Sequence, residues 1–95
     1  MIKIEFEKPF DYEGEKLAGI DLNTEDIKGR DIKYLVKQYK RDTKSKERDI
    51  IKELDDEFLL LVAAKMSGRQ VEFFDELPAG EYMKVVTEVK NFLLP

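Results

Sequence analysis

The sequence predicts an α+β fold, with an N-terminal β-hairpin packed on a small bundle of about three α-helices. Three observations predict it. Apolar and charged residues alternate over the first seven positions, the two-residue period of a strand with one face for a core. Past Leu22 the apolar spacing lengthens to three and four, the period of a helix. From residue 55 onward, two apolar helical patterns are joined by a short linker that carries a stop signal and a restart signal.

The hairpin is expected over about residues 2–22. Ile2, Ile4 and Phe6 alternate with Lys3, Glu5 and Glu7, and Pro9, which has no N–H to donate, is expected to end the ladder. Residues 11–15 read as a turn, with Gly14 available for a positive φ. Leu17, Ala18, Ile20 and Leu22 form a less regular return strand. Two strands alone are marginal in water, so the hairpin must lie on helices.

The first helix is expected over about residues 28–41, starting at Lys28 or Arg30. Ile32, Leu35, Val36 and Tyr39 make its apolar stripe; Lys33, Lys37, Lys40 and Arg41 make its basic face. Residues 42–49 hold no apolar side chain and read as a mobile basic segment. Ile50, Ile51 and Leu54 resume the helical spacing, as a separate turn or as an early start to the next helix.

The second helix is expected over about residues 55–67, capped by Asp55 or Asp56 and stopped by Gly68 in the left-handed conformation. Leu59, Leu60, Ala63 and Ala64 spread its apolar surface to nearly all sides, so it must be covered from more than one direction, by the hairpin, the last helix or another chain. Residues 71–77 read as one short turn. Pro78 suits the first position of a third helix over about residues 78–93, with Tyr82, Val86, Val89 and Leu93 as its inner stripe. Met83, Val85 and Phe92 flank that stripe and suit either core or a binding surface.

Ninety-five residues are enough for one domain with one modest core, burying roughly 60–65% of the unfolded surface. No Cys is present, so no disulfide framework or thiolate metal site is expected, which suits a reducing cytosol. The opening MIKIEFEKPF lacks the features of a signal peptide, and the longest apolar run, residues 58–64, is far short of the ~20 needed to span a bilayer. A soluble intracellular protein is expected.

The net charge of −4 is segregated. Residues 28–53 carry ten Lys or Arg against five Asp or Glu, and the rest of the chain is correspondingly acidic. Such blocks steer acidic partners or another copy of the chain, unless they are only a solvated helix face. Lys37, Lys40, Arg41, Lys44, Lys46 and Arg48 form the basic cluster; a nucleic-acid role is disfavoured because the chain is acidic overall and only Tyr39 is aromatic nearby.

Chemistry is hard to place on this chain. With no His there is no Ser-His-Asp triad and no imidazole ligand. Asp55, Asp56 and Glu57 are consecutive and point in different directions on a helix, so capping accounts for them. Asp11, Glu13 and Glu15 around Gly14 lack EF-hand spacing. No catalytic residue, metal site or cofactor is expected, and the chain reads as an interaction protein.

The residues also carry a resemblance. FEKPFDYEGEKLAGIDL, then KGRDI opening a helix, then FLLLVAAKMSG, then VEFFDELPAGEYMKVVTEVKNFL resembles, in order and spacing, the small tail assembly chaperones of long-tailed phages and prophages. The likeness covers the chain except for about residues 40–54. The lysine-rich centre departs from the pattern, and so does Gly80 near the start of the last helix, where a better helix former is expected.

The resemblance implies a non-enzymatic role in virion morphogenesis in the host cytoplasm. It implies binding to the tape measure protein, recruitment of tail tube protein and absence from the mature virion. Contact with the tube protein would run through a longer, frameshifted product in many such phages. A homo-oligomer is compatible with this role. The expected partner surface is Phe73 and Phe74 in the linker turn with Met83, Val85 and Phe92 on the last helix, aided by the basic cluster. Of Phe73 and Phe74, one is expected to anchor the core and the other to be exposed. The competing class is a small acidic regulatory, adaptor or inhibitor domain.

Overall fold

The computed structural model describes residues 1–43 and 55–94. Its elements run β1 (Ile2–Tyr12), β2 (Glu15–Leu22), α1 (Gly29–Thr43), α2 (Asp56–Ser67), α3 (Val71–Asp75) and α4 (Ala79–Leu93). The architecture is α+β, an antiparallel hairpin laid on helices.

β1 and β2 turn through Glu13 and Gly14, both at positive φ (49° and 83°), the pair of values a tight type I′ connection needs. Register then places Ile4 opposite Ile20 and Ile2 opposite Leu22, which turns one hairpin face toward the helices. β1 does not stop at Pro9. It runs on to Tyr12, and Pro9 falls in an irregular stretch between Glu5 and Phe10 where β1 takes five steps against two in β2. No ladder bond is asked of residue 9 there, so the missing N–H costs nothing.

α1 starts at Gly29. The Asp31 carboxylate accepts the Lys28 N–H at 2.8 Å, the reach-back half of a capping box. α2 is bounded as its sequence implies. Asp55 Oδ1 accepts the Glu57 N–H at 2.8 Å, and Gly68, at φ 74°, returns its N–H to the Ala64 carbonyl. β2 is tied to the end of this helix by the Asn23 N–H, which donates to the Met66 carbonyl at 2.8 Å. Pro78 sits one position before α4, at φ −56° and ψ 150°, rather than on its first turn.

α2 is the centre of the core. Phe58, Leu59, Leu60, Val62, Ala63 and Met66 are all buried, under α1, β2, α3 and α4. The apolar surface around this helix is therefore consumed largely within one chain. Leu61 and Ala64 stay half-buried.

Candidate functional site

The expected partner surface on α3 and α4 does not hold together. Phe73 and Phe74 are both buried, at 1% and 0% exposure, where one was expected to be free. Adjacent residues on a helical turn diverge, but α3 is enclosed on two sides. Phe73 meets Phe10 and Tyr12 of β1 edge-on, with centroids 5.9 and 5.0 Å away, and its other neighbours are Phe74 and the Arg69 guanidinium, 4.5 Å above the ring. Val85 is likewise at 0% exposure, because α4 lies between α2 and β1 and is covered from both sides. Phe73, Phe74 and Val85 are core residues.

Met83 is 51% exposed and Phe92 half-buried. Nine positions apart on a helix, they project in opposite directions and form no common patch. The α4 stripe is centred on Val85, Val86 and Val89, with Tyr82 and Leu93 half-buried at its edge. Of the basic cluster, Lys37 and Lys40 are exposed on one strip of α1 with Lys33. Arg41 lies within α1, and Lys44, Lys46 and Arg48 fall outside the described residues. No described helix is long and apolar enough to cross a membrane.

What the packing leaves open is a groove of about 710 Å³ between α1, α2 and α3, reaching the start of α4. Its floor is apolar: Leu35 and Tyr39 from α1, Leu60, Leu61 and Ala64 from α2, Val71 from α3 and Tyr82 from α4. Tyr34, 61% exposed, stands on its rim. Glu57, Leu61, Ala64 and Lys65 follow one another on one strip of α2, with Glu57 and Lys65 exposed and Leu61 and Ala64 half-buried.

The rim is anionic. Asp31, Glu57, Glu72 and Asp75 line it against Lys65 and Arg69. Both cations already face carboxylates, Lys65 to Asp31 and Arg69 to Glu15, each at 4.0 Å. Burial raises the Tyr82 hydroxyl above its ordinary pKa of 10.0, and Asp56, Asp75, Glu57 and Asp55 push it the same way. Tyr12 is raised by burial too, with Glu13, Glu72 and Glu76 adding to it and Arg69 opposing.

The groove was not singled out from sequence, although its signal is present. A helix as apolar all round as α2 must show part of that surface once the chain has covered the rest. Among the described residues no group of three or more His, Cys, Asp or Glu is arranged to hold a metal ion. What this arrangement offers is a place for an apolar surface to rest, framed by negative charge. The chain matches no family model, no curated protein and no solved structure.

Proposed function

We propose that this chain is a non-enzymatic tail assembly chaperone of a long-tailed phage or prophage, which binds the tape measure protein and helps recruit tail tube subunits. Support comes from the order of its motifs, from the hairpin through KGRDI and AAKMSG to the closing helix. The structural observation that carries the reading is the apolar groove beside α2, whose half-buried Leu61, Ala64 and Tyr82 form a surface suited to another helix. A tape measure is long and helical, with apolar faces that aggregate when bare, and covering such faces calls for no reactive group. The protein works in the host cytoplasm and is left behind when the virion is complete.

The test is co-expression with the tape measure gene of the same genome, which this reading expects as a very long coding region beside this one. The tape measure is expected to move from the insoluble to the soluble fraction and to copurify with this chain. A tape measure whose solubility and purification ignore the chain would defeat the reading. So would a gene with no tube or tape measure gene beside it, which would favour the regulatory or adaptor class instead.

A further inference from the structure

The groove differs from an ordinary apolar cleft in the imbalance of its charges. Among the described residues no ion pair joins Glu57, Glu72 or Asp75 to a cation, while Lys65 and Arg69 are both engaged. Asp55 and Asp56 lie at the same end, close enough to act on Tyr82. The exposed cations of α1 do not stand among them: Arg30, Lys33, Lys37 and Lys40 are all absent from the lining of the groove. An occupant that brings positive charge to the rim relieves the repulsion among these carboxylates, and one that brings negative charge adds to it.

The volume bears on the shape of the occupant. About 710 Å³ holds several large side chains but not a whole helix, whose diameter with side chains is ~10–12 Å. A helix must therefore lie across the mouth, with one apolar stripe lowered between Tyr34 and Leu61 and its flanks beside the rim.

We infer that the groove between α1, α2 and α3 is a docking site for a cationic amphipathic helix, with leucine-like side chains on its buried stripe and Lys or Arg on its flanks. The inference deepens the chaperone reading and rests on it for the identity of the natural partner. It specifies which helical stretches of that partner are held: those whose apolar stripe is bordered by basic residues. The Lys or Arg flanks pair with the rim carboxylates Glu57, Glu72 and Asp75.

The experiment titrates the whole chain with two synthetic helical peptides sharing one leucine stripe, flanked by Lys in one and by Glu in the other. The Lys peptide is expected to bind at least about tenfold more tightly at low salt, with the gap closing as ionic strength rises. Bulk attraction to an acidic protein would also favour the Lys peptide, so Tyr34→Glu decides between the two. This exposed position tolerates the change, and the variant adds negative charge while removing an apolar wall. The groove predicts Lys-peptide binding at least about fivefold weaker in the variant, whereas bulk charge predicts no loss or a gain. Glu57→Lys with Asp75→Lys is expected to reverse the preference between the peptides.

Equal binding of both peptides, or unchanged binding by Tyr34→Glu, overturns the inference. So does a dimer of the free chain that Tyr34→Glu dissolves, since the groove would then belong to a second copy. Tape measure copurification that survives while peptide binding fails overturns the groove and leaves the chaperone reading standing. Peptide binding without tape measure copurification overturns only the chaperone reading.

Discussion

The side chain of Glu81 on α4 accepts the backbone N–H of Glu7 on β1 at 2.9 Å, across 74 positions of sequence. Glu7 lies in the irregular stretch around Pro9, where β2 offers no ladder partner, so a helix carboxylate takes the place of a strand carbonyl. The second oxygen of Glu81 lies 3.2 Å from Lys84 Nζ as an ion pair lacking hydrogen-bond geometry, and that ammonium donates to the Glu5 carbonyl at 2.9 Å. One turn of α4 thus clasps the break in β1.

The clasp makes stability pH-dependent. The Glu7 N–H is the largest influence holding the Glu81 carboxyl below its ordinary pKa of 4.5; Lys84 acts the same way and burial opposes both. A depressed carboxyl stabilises the fold fully above its unfolded pKa and loses that contribution as pH falls through the lower folded value. Glu81→Gln is expected to melt at a lower temperature than the parent near neutral pH. The difference should narrow once the pH drops below 4.5, as measured by circular dichroism melts over a pH series. A difference that widens on acidification would contradict this.

Gly19 is required by the same hairpin. A Cβ at this position would collide with the Ile4 carbonyl oxygen, which is backbone and has no rotamer through which to yield. Gly19→Ala is expected to cost about 2 kcal/mol or more in urea denaturation, as overpacking does. Gly80→Ala, with open space around its Cβ and a helical position, is expected to be neutral or stabilising by up to ~1 kcal/mol.

Aromatic truncation separates core from surface on α3 and α4. Phe73→Ala and Phe74→Ala are each expected to cost about 3–5 kcal/mol, a large share of a small domain's stability. Met83→Asp, at an exposed position, is expected to stay within about 0.5 kcal/mol of the parent in the same denaturation experiment.

The ends of α2 carry measurable energy. Asp55→Ala removes the side chain that accepts the Glu57 N–H and is expected to cost about 1 kcal/mol. Gly68→Ala forces a Cβ into a left-handed backbone and is expected to cost about the same. Thermal melts of both variants and of the pair test whether the two ends act independently.

Hairpin, helix order, an aspartate cap at Asp55 or Asp56 and the Gly68 stop were all legible in the sequence, because each follows from neighbours a few residues apart; the structure chose Asp55. Alternation at Ile2, Ile4 and Phe6 defines a strand face, and Gly14 and Gly68 mark places where the backbone must adopt a positive φ. The partner surface was not legible in the same way. Met83, Val85 and Phe92 look equivalent beside a helical stripe, yet one is exposed, one fully buried and one half-buried.

By itself the sequence determined the hairpin, the order of the main helices and the Gly68 end of α2, and that no imidazole or thiol is at hand for chemistry. The tertiary structure alone decided that Phe73 and Phe74 are both interior, that Glu81 serves β1, and that the strip of α2 through Leu61 and Ala64 faces an anionic rim. The division has a physical reason. Backbone geometry and period are set by local sterics and hydrogen bonding, whereas the exposure of a side chain depends on which distant element comes to lie on it.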